Sequence, residues 1–135
     1  MAKPPVRVDL TWDGDLRFTT LSNGVALSVD GHSKAGPSPV QALALALAGC
    51  MAVDVVDIVV KGRHVLRAFT ADLTAERAPE PPSRFTVVAL HFRVEGDVPG
   101  HAVERAIALS RDKYCSVWHS LRQDIAFTTS FEVVP

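Results

Sequence analysis

Residues Ser38 to Gly62 read SPVQALALALAGCMAVDVVDIVVKG, and this stretch decides the fold. Ser38 is a good N-cap, because its hydroxyl can accept from a free N–H of the first turn. Pro39 suits the first helical position, where its missing N–H costs nothing. Gln41, three residues after Ser38, completes the pattern of a capping box. Ala42 to Ala48 are all Ala and Leu, strong helix formers. Lys61 complements the helix dipole at the far end, and Gly62 supplies the stop. The segment therefore predicts one long helix. Its first half is apolar on every side, as in a helix buried all round. One sheet of a small domain can hardly cover such a surface, so the sequence itself asks for a second subunit. The length of Val40 to Val60 is near the roughly 20 residues of a membrane span. Asp54 and Asp57 argue against that use, each costing about 2.5–3.5 kcal/mol at a bilayer centre. At the midpoint of this apolar helix sits a thiol, Cys50.

The segments around the helix read as strands. VRVDLTW (Val6 to Trp12) alternates with period two, DGD at Asp13 to Asp15 is a turn, and LRFTTL resumes the alternation. SNG at Ser22 to Gly24 marks a hairpin, since Asn and Gly tolerate positive φ. VALSVD returns, with Val25, Leu27 and Val29 on one face. Beyond the helix, Val65 to Arg77 and Arg84 to Gly96 both alternate across a proline-rich loop, APEPPS. Pro99 to Tyr114 shows helical spacing through Val103, Ala106, Ile107 and Ser110. SVWHSLRQD reads as a short helix, and IAFTTSFEVV as a last strand with Ile125, Phe127, Thr129, Phe131 and Val133 on one face. The order is βββ-α-ββ-α-α-β. No repeat or linker interrupts it, so one α+β domain over residues 1–135, with strands in antiparallel runs, is expected.

Composition narrows the function classes. The chain has 135 residues, enough for a real core. It is 47% hydrophobic and 21% charged, which is globular rather than disordered. The formal net charge of -1 argues against nucleic acid or an anionic membrane surface as partner. MAKPPVRVDL has no apolar run of the secretory type, so a cytoplasmic protein is expected. His32, His64, His91, His101 and His119 are scattered, and no Cys/His cluster has zinc spacing; neither a metal nor a cofactor is expected. His119 lies four residues after Cys115, on one helical face with it, and reads as a surface or packing residue.

The two cysteines, Cys50 and Cys115, admit two readings. Two thiols in a reducing compartment rarely form a permanent bridge, and both could be inert packing. Alternatively, Cys115 in KYCSV stands where one helical pattern ends and a short one begins. A helix N-terminus beside a lysine favours a thiolate. Cys50, mid-helix, would need a cationic neighbour. Spacing alone does not say whether the thiols meet.

GPSPVQALALALAGCMAVDVV, with KYCSV placing its cysteine 65 residues after Cys50, resembles the OsmC/Ohr family, the osmotically induced and organic hydroperoxide resistance proteins. DVVDIVVKGR, LHFRVEG and SFEVV are similar to its YhfA-like branch. The resemblance runs from about residue 6 to residue 134. It implies an OsmC-like α+β fold, with antiparallel sheets packed around a long central helix. It also implies an intertwined homodimer with its sites at the subunit interface. The enzymes of the family are thiol peroxidases of organic hydroperoxides. On this match Cys50 would be the peroxidatic thiol and Cys115 the resolving one, with a dithiol, such as a lipoyl group, as reductant. The family pattern has an acidic residue directly after the helix-opening proline and an arginine near the first hairpin. This chain has Val40 at the first position, and Arg17 is the candidate for the second. The alternative reading is a non-enzymatic dimeric protein that binds an apolar small molecule, or a redox sensor.

Overall fold

A computed structural model describes residues 2–135. By its internal contacts the chain forms two compact units, residues 1–43 and 44–135. The first holds a three-stranded antiparallel sheet of β1 (Thr11–Trp12), β2 (Arg17–Ser22) and β3 (Val25–Asp30), in that order. Asn23 and Gly24 join β2 to β3 with φ of 50° and 81°. Two successive positive φ values are what a type I′ hairpin turn requires. The expected strand from Val6 is shorter than its alternation suggested. Val6, Val8 and Leu10 are 93%, 73% and 56% exposed, and only Thr11 and Trp12 pair with β2. Alternation makes a strand only where a neighbour pairs with it. After β3, the buried Asp30 carboxylate organises the loop by accepting the N–H groups of His32, Lys34 and Ala35 at 2.8, 3.3 and 2.9 Å. These bonds favour its charged form and hold its pKa below the ordinary carboxylate value.

Helix α1 spans Pro39–Lys61. Its start follows the capping logic: the N–H of Gln41 donates to Ser38 Oγ at 3.1 Å. Lys61 pairs with Asp57, one turn back, at 2.8 Å. Only Leu47, Met51, Val55 and Val59 are buried, a stripe at four-residue spacing. By length and composition α1 could cross a membrane, yet only 22% of its most apolar window is buried within this chain.

In the second unit α1 is followed by β4 (Val65–Arg77), β5 (Phe85–Asp97), α2 (Gly100–Leu109), a π-helical turn (Ser110–Tyr114), α3 (Ser116–His119) and β6 (Ala126–Val134). The sheet order is β4-β5-β6. β4 and β5 pair antiparallel over almost their whole length. At the end of β5, Gly96 (φ 148°) passes so close to the Val65 carbonyl that no side chain would fit. One expectation is corrected here: β6 pairs with β5 in parallel, not antiparallel. The helical crossover of α2, the π turn and α3 brings the chain back to the starting end of the sheet, and a strand entering there runs parallel. β5 carries the centre of the core through Val88, Leu90, Phe92 and Val94, none more than 1% exposed. Val103, Ala106 and Ile107 of α2 are buried too, as their helical spacing predicts. The observed architecture is thus mixed α+β, with two sheets and helices between their strands.

Candidate functional site

Cys50 lies half-buried on α1, and Cys115 is fully buried at the junction between the π turn and α3. Both are free thiols, and they are neighbours: the fold brings together two side chains 65 residues apart. Cys115 is the N-cap of α3, and its Sγ accepts the Trp118 N–H at 3.3 Å. The expected helix-start position is therefore present, but its expected consequence is reversed. Burial pushes the Cys115 thiol up to about 11, against the Trp118 N–H, which favours the thiolate; the adjacent Cys50 thiol raises it further. The Trp118 and Val117 N–H groups at the head of a four-residue helix do not offset the loss of solvent around a buried charge. Cys115 is consequently a protonated thiol near neutral pH.

Trp118, whose N–H bonds Cys115, also belongs to an aromatic cluster. The Trp118 and Phe127 rings lie 4.5 Å apart, and the Arg111 guanidinium stands 4.8 Å from Phe127 and 6.0 Å from Trp118. Its Nη2 also donates to the Phe127 carbonyl at 2.6 Å. Nearby, an open cleft of about 520 Å³ runs between α2 and β6, lined by Glu104, Ile107, Arg111, Thr129 and Phe131 among others.

The third candidate, Arg17, belongs to the first unit. It is half-buried on β2, and its Nη2 donates to the Asp13 carbonyl at 3.2 Å. His119 accounts for itself locally, with Nε2 bonded to the Arg111 carbonyl at 2.9 Å. No three His, Cys, Asp or Glu residues come together as a metal-holding group among the described residues.

Two polar residues were missed. Ser110 Oγ donates to Asp54 Oδ2 at 2.7 Å, linking the elements that carry the two cysteines. Both had left a trace in the sequence. Asp54 falls four residues after Cys50, hence on its side of the helix. Ser110 is a hydroxyl in the otherwise apolar stripe of Val103, Ala106 and Ile107.

A mixed α+β fold that places two distant thiols side by side at the start of a short helix defines a class of two-cysteine proteins. The chain belongs to the OsmC-like protein family, whose model matches residues 30–130. It is 43% identical over 126 residues to Protein YhfA of Escherichia coli (strain K12), covering 91% of this chain and 94% of that protein. Among solved structures, a hypothetical protein from Aquifex aeolicus VF5 superposes with a TM-score of 0.90 at 23% identity, covering 98% of each chain. An organic hydroperoxide resistance protein OsmC from Legionella pneumophila superposes with a TM-score of 0.70 at 17% identity, over 97% of this chain and all of that one. At such identities the two structures establish the shared fold.

Proposed function

We propose that this protein is a cytoplasmic, homodimeric thiol peroxidase of organic hydroperoxides, acting as one OsmC-like domain. The observation that carries the reading is the asymmetry in exposure of the neighbouring thiols. Cys115, fully buried, is shielded from substrate as a resolving thiol would be; Cys50, half-buried on α1, suits first contact with a substrate. In the reaction the Cys50 thiolate attacks the O–O bond of ROOH. With one proton taken up, the bond breaks to give Cys50 sulfenic acid and the alcohol ROH. The Cys115 sulfur then attacks the sulfenic sulfur, releasing water and forming a Cys50–Cys115 disulfide. A dithiol, such as a dihydrolipoyl group, returns both to thiols by exchange. The name of the Legionella pneumophila neighbour supports the substrate class. Arg17 is assigned, from the family pattern, as the cation that favours the Cys50 thiolate.

A second copy is the natural cover for α1. Leu43, Leu45, Val53 and Val60 are 41%, 64%, 69% and 53% exposed, and Ala52, Val53, Val56 and Val60 line an apolar hollow. Small residues at Ala44, Ala48 and Gly49 permit close approach. An interface of the obligate class, above about 2,000 Å², would bury this surface.

The test is consumption of cumene hydroperoxide with dithiothreitol or dihydrolipoamide as reductant. Wild type should turn over, and Cys50→Ser should lose the activity; equal rates would remove Cys50 from the role. One observation favours a second reading. Val40 stands where the family pattern has a carboxylate, so the thiolate lacks that partner. A non-enzymatic dimer binding an apolar small molecule would then show ligand binding without peroxide turnover at any pH.

A further inference from the structure

The two cysteine-bearing elements are joined beside the thiols. Asp54 follows Cys50 by one helical turn, and Ser110 opens the π-helical turn that ends just before Cys115. Ser110 is fully buried and bonds in two directions. Its Oγ donates to Asp54 Oδ2 at 2.7 Å, and its carbonyl accepts the Cys115 N–H at 2.8 Å. One residue therefore grips α1 through its side chain and the Cys115 backbone through its main chain.

The π turn makes this double grip achievable. In a continued α-helix the Cys115 N–H would bond to the Arg111 carbonyl, four residues back. The extra residue of the π register sends it to Ser110 instead. The Arg111 carbonyl so released is taken by His119 Nε2 at 2.9 Å, and the Arg111 side chain is fixed on Phe127. The displaced Arg111 carbonyl therefore keeps a partner, and the Cys115 N–H keeps one on Ser110.

We propose that the Asp54–Ser110 hydrogen bond and the π turn together position the Cys115 sulfur against Cys50 for disulfide closure. Asp54 and Ser110 are positioning residues and touch no substrate. The proposal rests on the Cys50–Cys115 pair being the redox couple, but not on peroxide being its oxidant. Loss of this hydrogen bond leaves the half-buried Asp54 carboxylate short of a partner, which frees α1 and the turn to shift. Misplacement of reacting atoms by an ångström is enough to change closure strongly.

The experiment measures the effective concentration of the thiol pair against glutathione. Reduced protein plus oxidised glutathione gives the intramolecular disulfide plus two reduced glutathiones, so electrons and protons balance. Folded wild type, Ser110→Ala, Ser110→Thr and Asp54→Asn are equilibrated, quenched with acid and counted by mass. Ser110→Ala should lower the effective concentration about tenfold or more, the equivalent of a charge-assisted hydrogen bond. Ser110→Thr, which keeps the hydroxyl, should stay within about twofold of wild type. Asp54→Asn, which keeps an acceptor but not the charge, should fall between them. A role in stability alone would lower the melting temperature and leave these ratios unchanged in the folded molecules. Wild-type ratios in both Ser110→Ala and Asp54→Asn would overturn the proposal. Should Ser110→Ala fail to fold, Asp54→Asn decides by the same comparison. Because no peroxide is used, loss of the peroxidase reading would leave this result standing, and the reverse holds too.

Discussion

The two units place their hydrophobic residues in opposite ways. Among the described residues, every buried apolar side chain belongs to the second unit, from Leu47 to Phe127. The first unit has strands of the right composition, yet Trp12, Leu21, Val25 and Leu27 are 66%, 74%, 61% and 53% exposed. Among its described residues the one buried side chain is a carboxylate, Asp30, held by backbone N–H groups. Trp12, Val25 and Leu27 share one face of this sheet, and an exposed contiguous apolar face of that kind marks an interaction surface. The second unit carries its own core, whereas the first unit and much of α1 leave apolar side chains exposed in the single chain. That exposed surface is what the proposed dimer would cover.

The largest effect is expected from a charge on the exposed side of α1. In an isolated chain, Val53→Glu would replace a side chain 69% exposed, and such surface changes stay within about 0.5 kcal/mol. In an obligate dimer it should abolish assembly and the folded state together. Light scattering and circular dichroism on both proteins decide it. We expect wild type at twice 14.5 kDa and Val53→Glu unfolded. A folded wild-type monomer at micromolar concentration would end the dimer reading.

A second comparison sets one unit against the other. Phe92→Ala removes a ring at the centre of the second unit, its centroid 5.5 Å from that of the tilted Phe69 ring. It should cost about 3–5 kcal/mol in denaturant titrations. Leu27→Ala in the first unit, on the face shared with Phe18 and Val25, would cost little if that face stays uncovered. A loss approaching about 2 kcal/mol, typical of a buried leucine, would show that a partner covers it.

The smallest effect concerns pH. Burial holds Cys115 up to about 11, from an ordinary value of 9.0. The folded chain thus favours the neutral thiol more than the unfolded chain does. That contribution is fully present below about pH 9 and is lost as pH rises toward 11. Thermal melts should show wild type losing stability over this window more steeply than Cys115→Ser. Parallel curves would mean that the Cys115 site is not dry.

Much of this fold was legible because its cues are local. Ser38, Pro39 and Gln41 announce where α1 begins, and Asn23-Gly24 announces the hairpin. The alternation of Val88, Leu90, Phe92 and Val94 announces a buried strand face. What escaped depends on the path of the chain. The parallel docking of β6 follows from the crossover, which no residue of β6 records. The π turn reads as ordinary helix, because Val103, Ala106, Ile107 and Ser110 fit α spacing. The thiol character of Cys115 was misjudged for a similar reason. A helix start can be read in a sequence, but the burial that outweighs it belongs to the assembled core. Cys50 and Cys115 were legible as a pair through family resemblance, whereas their bracing by Asp54 and Ser110 required three dimensions.

We propose above that Cys50 and Cys115 form one redox couple driven by an organic hydroperoxide. Its most direct test is a single turnover: fully reduced protein mixed with one equivalent of cumene hydroperoxide, quenched with acid and measured by intact mass and peptide mapping. The account predicts a loss of two hydrogen atoms per chain and one cross-linked peptide pair joining Cys50 to Cys115. Unchanged thiols after the peroxide has had time to react, or oxygen added at Cys115 with Cys50 still reduced, would contradict it.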